Sequence, residues 1–336
     1  MWLVFDWQAA IVVDDDGQVL DDLKHNGFLS PRDIVQRIQS MKNAELTPEA
    51  HELSTRFPDA KPRQRHEFGN PDIDFPEPTK EQTLQFDEAL ILQTTMEIQD
   101  ESGHPDRRME HLLRLSDELR SSQITLENRC IEWIGDVFPY AQSTSNRLDF
   151  LRKVATCETI ESFCSTFDVE APTQDVPQNE WKIMASTAKQ AVQEKADVDR
   201  IEHAIRELSN QYLPSVSLLL GPLLAARMCV EAHGRERLSK LPSGTIQVLG
   251  AEKAFFHHLK TGSPPPKHGH IFMHPWISHS PKWVRGKISR MLAAKVSIAA
   301  KIDAFEGEPW TDEDLEKITR RVETIRNTRR KPKRKR

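Results

Sequence analysis

A long uninterrupted helical pattern reads PDRRMEHLLRLSDELRSSQITLENRCIEWIGDVF and covers residues 105–138. Its apolar and small residues follow the three- and four-residue spacing of a coiled-coil seam, with one four-residue irregularity. We assign this seam to Leu112, Leu115, Leu119, Ser122, Leu126, Cys130, Trp133 and Val137. A helix of this length is about 45–50 Å long, so the sequence predicts a rod rather than a broad globular face.

A second helical pattern farther along the chain supplies a partner for this rod. Its seam comprises Trp181, Met184, Ala188, Ala191, Val198 and Ile205, with charged Lys195 and Glu202 at two further seam positions. Two short helical patterns, at about 146–156 and 158–167, and a proline-bearing loop lie between the arms. This order predicts a long antiparallel coiled-coil hairpin over residues 105–209. Two alternatives remain: the hairpin packs only on itself, or its exposed seam pairs with a second copy.

Residues 1–104 are predicted to form a small α/β domain. Three β-prone runs come first, at residues 2–5, 10–13 and 18–20. Ser30 is placed to cap a helix that starts at Pro31. A charged loop with five prolines covers residues 57–78, and a second helix is expected over about 80–99.

The chain from residue 210 to 316 is predicted to form an all-α domain. The nearly apolar run at 221–227 indicates a buried helix, and Gly234 is typical of the residue that ends it. Residues 287–305 alternate apolar and basic positions, as in a helix with one solvated face. Residues 317–336 are expected to form a basic tail that is disordered at its end. The predicted fold class is therefore mainly α.

Charge divides the chain unevenly around a formal net charge of −5. Residues 1–205 hold 21 Lys and Arg against 39 Asp and Glu, whereas residues 206–305 hold 14 against 5. Residues 317–336 hold 11 against 1. A basic region of this size usually meets a polyanion, most often nucleic acid. The alternative is an ordinary solvated surface on an unevenly charged protein.

Several functional classes lack their sequence signals. No run approaches 18 uncharged apolar residues, so no membrane span is expected, and residues 1–6 have no features of a secretion signal. The four cysteines form no CxxC pair, so free thiols in a reducing compartment are expected. Seven of the 13 histidines lie between residues 233 and 279, but their spacing matches no metal motif and acidic residues are scarce there. We expect no metal, no cofactor and no catalytic residue.

The most distinctive segment reads GTIQVLGAEKAFFHHLK, residues 244–260. A glycine before a helix start leaves backbone N–H groups that suit a phosphate. Lys253, His257 and Lys260 follow with a spacing that places them on one helix face. The ordinary interpretation of the Phe255–Phe256 pair is burial beneath a solvated charged face. The alternative is that one ring is buried and the other stays exposed to stack on bases.

Two further basic stretches follow this segment. Residues 264–270, PPPKHGH, form a stiff loop that carries cationic and imidazole groups. Arg285 and Lys287 then flank the start of the last basic helix. Both side chains are candidates to hold phosphates.

Residues 213–305 closely resemble the Nop domain of the Nop-family scaffold proteins of box C/D RNA-guided methylation particles. The resemblance rests on GPLLAAR (221–227), TIQVLGAEK (245–253), PPKHG (265–269), RGK (285–287) and IDAF (302–305). The GAEK signature in this setting is highly specific. Weaker similarity extends to residues 106–138, which look like the first long helix of that family.

The resemblance implies a non-catalytic protein with several partners. The Nop domain is expected to bind a box C/D guide RNA together with a small kink-turn-binding protein of ribosomal type, and the coiled coil to self-associate. The N-terminal domain is expected to hold fibrillarin, a 2′-O-methyltransferase. Carried over position by position, the RNA contacts are Lys253, Lys267 and Arg285, then Gln247, His257, Lys260, His268, Lys287 and Arg290. His257 stands where the family usually has arginine, so a mostly neutral side chain replaces a fixed cation.

The sequence leaves three functional hypotheses. The first is an archaeal-type box C/D scaffold that directs 2′-O-methylation of rRNA or tRNA in the archaeal cytoplasm, or in the nucleolus if the source is eukaryotic. The second is a Nop-domain protein of pre-mRNA splicing that binds a similar complex without a methyltransferase; the strand-rich start favours the first. The third is a histidine-dependent nuclease.

Overall fold

The structure, a computed structural model, describes residues 1–69, 73–139, 141 and 146–328. The chain forms two compact units, Met1–Gly103 and His104–Arg336. The first unit corresponds closely to the α/β domain expected over residues 1–104, and the second holds the hairpin and the helices that follow it.

The first unit is organised around a four-stranded sheet with strand order β3-β2-β1-β4. The strands are Trp2–Phe5 (β1), Ala9–Val13 (β2), Val19–Lys24 (β3) and Lys61–Gln64 (β4). β2 pairs antiparallel with β1 and β3, whereas β4 runs parallel to β1. The three predicted strands are confirmed. β4 corrects the prediction of a loop over residues 57–78, and Pro62 is tolerated in it because β4 lies at the edge of the sheet.

Helices α1, α2 and α3 complete the first unit. Their bounds are Pro31–Lys42 (α1), Pro48–Arg56 (α2) and Lys80–Gly103 (α3). α1 begins as predicted, with a capping box between Ser30 and Asp33. α2 is not anticipated by the sequence analysis, although Thr47 caps it and Pro48 occupies its first turn, which are ordinary start signals. α3 ends at Gly103 rather than near residue 99.

The second unit begins with the predicted antiparallel hairpin. Its arms are α4 (Pro105–Val137) and α7 (Gln178–Tyr212), which pack against each other. The seam predicted for α7 is confirmed, since Trp181, Met184, Ala188, Ala191, Val198 and Ile205 are all buried. Lys195 and Glu202 also lie on the seam, but their side chains are only partly buried. Glu202 forms ion pairs with Arg120 of α4 and with Arg206.

The seam predicted for α4 is wrong by about one residue. The buried positions are Met109, Leu113, Ser116, Gln123, Cys130 and Ile134, of which only Cys130 agrees with the prediction. The predicted residue Leu115 is instead 45 % exposed. The observed seam contains polar Ser116 and Gln123, and Arg120 and Glu127 at its intervening heptad positions form ion pairs. A seam assigned from hydrophobic spacing alone therefore falls on the neighbouring leucines rather than on the residues that face α7.

The tip of the hairpin is a small aromatic core. The two short helices predicted there are α5 (Arg147–Val154) and α6 (Ile160–Phe167). Phe163 and Trp181 are fully buried, with ring centroids 5.1 Å apart. The indole Nε1 of Trp181 donates a hydrogen bond to the backbone oxygen of Cys157 at 3.0 Å, which attaches the tip to α7.

The remaining helices form an all-α bundle around α14. They are Pro214–Leu220 (α8), Pro222–Glu231 (α9), Arg235–Lys240 (α10), Ser243–Val248 (α11), Glu252–Thr261 (α12), Pro275–Ser278 (α13), Lys282–Ala304 (α14) and Asp312–Thr328 (α15). α14 packs against α8, α10 and α11. Near its end the buried carboxylate of Asp303 accepts the backbone N–H groups of Ser215 and Val216, both at 3.0 Å, and so anchors the start of α8.

The base of the hairpin shares this core. Met109 and Leu113 of α4 and Ile205 of α7 belong to the same buried cluster as the bundle residues. α7 also continues to Tyr212, past the boundary placed at residue 209 from the sequence. Within the described residues no single helix is long and apolar enough to cross a membrane, and only α8 and α9 together, bent by 117°, reach that length and composition.

The last helix corrects the expectation of a tail that begins at residue 317. α15 continues through this point to Thr328, and its Ile318, Val322 and Ile325 are buried against the bundle. Because those three residues recur at helical spacing among charged neighbours, they form an apolar stripe that the charge count conceals. The disorder expected at the end of the tail falls on residues 329–336, which lie outside the described residues.

Candidate nucleic-acid interface

A cationic cleft lies on the bundle where the start of α14 meets the proline-rich loop and α11. Its volume is about 680 Å³. The lining residues are Gln247, Pro264, Pro265, Pro266, Lys267, Lys282, Trp283, Gly286, Lys287 and Arg290. Four of these are lysine or arginine, and none of the described residues that line the cleft is acidic. The cleft therefore has the charge expected of a surface that binds phosphates.

One face of α14 supplies half of the cleft. Lys282, Gly286 and Arg290 follow at four-residue intervals and therefore share a face of the helix. The opposite face is apolar and carries Val284 and Ile288 into the core. Burial of that face fixes the rotation of α14, and this rotation turns the cationic face outward.

Backbone hydrogen bonds hold the loop that supplies the other side. The N–H of Gly269 donates to the backbone oxygen of Gln247 at 2.9 Å, and the N–H of His270 donates to that of Leu249 at 2.8 Å. The side-chain Nε2 of Gln247 donates to the backbone oxygen of Lys267 at 2.7 Å. Gln247 thus serves as a support that keeps Lys267 at the cleft.

Arg285, which the resemblance predicts to contact RNA, makes internal contacts in the structure. Its Nε donates to the backbone oxygen of Ser280 at 2.7 Å, and a terminal nitrogen donates to that of Ser278 at 2.9 Å. The guanidinium also lies over the ring of Phe272, 5.4 Å from its centroid. These contacts are internal, so Arg285 holds the segment that leads into α14 rather than standing free at the cleft.

His268 also points into the fold. Its ring stacks on Phe272, with centroids 5.0 Å apart and 14° between the planes. Burial, together with the charges of Arg285 and Lys267, lowers the pKa of His268 below its usual value. The imidazole is therefore neutral near pH 7 and does not add to the positive charge of the cleft.

The remaining predicted residues lie on α12 and are not among the residues that line the cleft. Lys253, His257 and Lys260 are exposed, as their spacing implies. The expectation of a buried aromatic pair is wrong, because Phe255 is 44 % and Phe256 60 % exposed. All residues of α12 are described, and none is buried. The helix therefore presents apolar rings and cations together to the solvent.

At the glycine before α12, where a phosphate is expected, the chain itself uses one of the backbone donors. The N–H of Gly250 donates to the Glu252 carboxylate at 2.9 Å. A side-chain anion thus takes the donor that a phosphate would use. The acidic residue of the GAEK signature has a local structural role here.

Three residues of the cleft are not predicted from the sequence: Lys282, Trp283 and Gly286. Lys282 and Gly286 precede Arg290 by eight and four residues, so helical periodicity counted backward from Arg290 would have found them. The start of the helix was placed too late, at residue 287, because Pro281 was not recognised as the residue before its first turn.

The histidines of this region perform separate local roles. His258 contacts the backbone oxygen of Ser263, and His270 lies 3.3 Å from the Glu231 carboxylate. The Nδ1 atom of His274 accepts the N–H of Trp276 at 3.2 Å and caps α13. Among the described residues, no three His, Cys, Asp or Glu side chains are grouped so that they could hold a metal ion.

His274 makes the fold sensitive to acid. Burial lowers its pKa to about 4, against about 6.5 for an unfolded chain. Between pH 6.5 and 4 the unfolded state binds a proton that the folded state does not, so stability falls as the pH falls. We expect this residue to lower the free energy of unfolding by about 2 kcal/mol at pH 5 relative to pH 7.

Chemical denaturation at both pH values measures this loss. The control is His274→Asn, because asparagine also caps a helix but does not titrate in this range. The variant should lose about 2 kcal/mol less than the parent over the same interval. An equal loss in both proteins would assign the acid sensitivity to other groups.

Comparison with known proteins identifies relatives of this chain. A family profile described as Nop, snoRNA binding domain, fibrillarin, matches residues 115–324. A NOP5 family protein of Methanocaldococcus jannaschii is 51 % identical over 128 residues, which cover 38 % of this chain and 31 % of the relative. Nucleolar protein 56 of Mus musculus is 42 % identical over 119 residues, which cover 35 % and 20 %. Nucleolar protein 58 of Lodderomyces elongisporus is 28 % identical over 213 residues, which cover 58 % and 41 %.

The aligned part of the chain spans less than a third of the length of the first two relatives. A solved structure described as a fibrillarin/Nop5p complex covers 95 % of this chain and 98 % of its own, with a TM-score of 0.44 and 23 % identity. The match to the family profile extends over well more than half of the chain and includes the cleft and α12.

Proposed function

Because the chain belongs to the Nop family, we propose that it is the non-catalytic scaffold of a box C/D guide ribonucleoprotein that directs 2′-O-methylation of rRNA or tRNA. The observation that carries the proposal is the cleft of four cations on the bundle. In this assignment Lys267, Lys287 and Arg290 contact the guide RNA, with Lys282 beside them. Arg285, His268 and Gln247 position these residues.

A small kink-turn-binding protein is the second partner in the proposal. α12 carries exposed Phe255, Phe256 and Leu259 together with Lys253 and Lys260. A surface that combines apolar side chains with cations suits a composite partner of protein and RNA. The protein would pack on the apolar side chains, and the RNA phosphates would bind the cations. A helix of ten residues that faced only solvent would not be expected to expose three large apolar side chains.

The acidic N-terminal unit is proposed to hold a fibrillarin-like methyltransferase. It contains a largely apolar groove of about 670 Å³, in which Trp7 stacks on Phe86 with centroids 5.1 Å apart. α3 adds an exposed apolar row, Leu84, Ile91 and Ile98, at seven-residue spacing. Exposed apolar surface of this kind marks a protein interface, while the net negative charge of the unit as a whole disfavours RNA binding there.

The hairpin is proposed to self-associate and to act as a spacer. Leu115, Ile124 and Ile183 are exposed on its arms, outside the seam that α4 and α7 share. A 33-residue helix such as α4 extends about 50 Å. A stiff element of this length would hold a methyltransferase at a set distance from the RNA. The proposed location is inside the cell, in the archaeal cytoplasm or, for a eukaryotic source, the nucleolus.

Reconstitution tests this function. The full chain is mixed with a fibrillarin-like methyltransferase, a kink-turn-binding protein, a box C/D guide RNA and a complementary target, and transfer of a methyl group to the target is measured. We expect transfer only when the chain is present and only at the guided nucleotide. The variant Leu84→Ser/Ile91→Ser/Ile98→Ser should keep RNA binding and lose transfer, whereas Ile298→Ser, at an exposed position of α14, should keep both.

Transfer without the chain, or none with all components, would contradict the proposal. Retained assembly on the kink-turn complex with no capture of methyltransferase would instead favour the splicing alternative. Cleavage of the RNA by the chain alone would support a nuclease.

A further inference from the structure

We propose that the cationic cleft binds one unpaired nucleotide of an RNA strand, with its base stacked on Trp283 beside Gly286 and its phosphates held by the surrounding cations. The inference rests on the proposed RNA-binding function. It adds to that function a preference for single-stranded or bulged RNA over fully paired RNA.

Gly286 is the first argument for a ligand at this place. It occupies an interior position of α14, where glycine destabilises a helix relative to alanine. A Cβ atom added at this position would meet nothing within 4 Å beyond the helix's own turns. Packing of the described residues therefore does not require glycine, whereas close approach of a ligand to the backbone would. Gly286 lines the cleft, which is where such a ligand would lie.

Trp283 is the second argument. It precedes Gly286 by three residues on the same helix, so its indole flanks the bare stretch of backbone. It lines the cleft and is 37 % exposed, so part of its indole is within reach of a ligand there. Every nucleobase has a π face that stacks on an aromatic ring, whatever its sequence. A notch formed by an indole and a glycine fits such a base.

The shape and charge of the cleft limit the ligand further. A volume of about 680 Å³ lies within the range of small-ligand sites and leaves room for a nucleotide. Lys267, Lys282, Lys287 and Arg290 favour an anion, while the three prolines of the wall add apolar surface. Phosphates of a regular duplex need only the cations. Bases become available to an aromatic ring where the strand is unpaired, which selects single-stranded RNA or a bulge.

Binding of defined RNA hexamers to the full chain tests the proposal. The probes are labelled hexa-adenylate, the same hexamer with abasic residues, and a hexamer duplex, all at one salt concentration. We expect hexa-adenylate to bind about tenfold more tightly than either of the others. Trp283→Leu should abolish this preference, and Trp283→Phe should retain most of it because phenylalanine still stacks.

Gly286→Ala provides a test with two opposite signs. Its thermal midpoint should rise, because alanine is the better helix residue and has space, while its affinity for hexa-adenylate should fall several-fold because the methyl group enters the notch. A glycine with a purely structural role would show no such split. Lys301→Gln, on the same helix about 16 Å beyond Arg290, is the control and should change neither quantity.

Equal binding of the intact and abasic hexamers would overturn the stacking proposal, as would duplex binding as tight as that of the single strand. Binding of free adenosine monophosphate as tight as that of the hexamer would overturn RNA as the source of the nucleotide. These results are independent of methyl transfer. Base-dependent binding without guided methylation would reject the scaffold function alone, and guided methylation with base-independent binding would reject this inference alone.

Discussion

Replacing Lys267, Lys287 and Arg290 together by glutamine is expected to weaken binding of a guide RNA about a hundredfold near physiological salt. All three side chains line the cleft and are exposed. Each phosphate contact releases counterions, so each contributes about 0.7 to 0.9 to the slope of log K against log salt. The triple variant should therefore flatten that slope by roughly two to three units. Titrations at several salt concentrations measure both quantities.

Two controls separate direct contact from support. Lys301→Gln removes one exposed cation of α14 outside the cleft lining and should leave the slope unchanged. Arg285→Gln should act through the fold, because its guanidinium is bound to the backbone oxygens of Ser278 and Ser280. We expect it to lower the thermal midpoint and to change the slope little. A triple variant with the parental slope would show that the RNA lies elsewhere on the protein.

Contacts like those of Arg285 explain why the sequence predicts the region of the candidate site better than the individual residues that line it. The basic stretch and the loop were found, because charge and proline can be read locally. The direction of a side chain depends on what packs around it, and nothing in the RGK motif shows that Ser278 and Ser280 offer carbonyl oxygens to its arginine. The same holds for α12, where the local sequence pattern cannot show that Phe255 and Phe256 stay exposed in the folded chain.

The two arms of the hairpin show the same limit within a single motif. The seam of α7 was predicted residue by residue because its small and apolar side chains coincide with the buried face. The seam of α4 was shifted because its inner face carries Ser116 and Gln123, while Leu115 is exposed. A polar seam is satisfied across the interface, as Arg120 and Glu202 show. Such pairing is visible only when both helices are in place.

Gly269→Ala is expected to damage both the fold and the RNA-binding surface. A Cβ atom at this position would overlap the backbone oxygen of Leu249 and would lie 2.7 Å from that of Val248. Neither atom can move away as the end of a side chain could, so the loop itself must shift. The shift would break the hydrogen bonds from Gly269 to Gln247 and from His270 to Leu249. We expect a loss of about 4 kcal/mol in the free energy of unfolding.

The functional part of the same prediction follows from Lys267, which stands two residues before the glycine on the anchored loop. Displacing it should cost one phosphate contact and lower RNA affinity about tenfold in conditions where the variant remains folded. Chemical denaturation and RNA titration at low temperature measure the two effects. Gly244→Ala is the matched control, because a Cβ there meets no atom of the described residues within 4 Å, and it should stay within about 1 kcal/mol of the parent. If Gly269→Ala keeps parental stability and affinity, the loop is not held by its contact with Leu249, and Lys267 reaches the cleft by some other support.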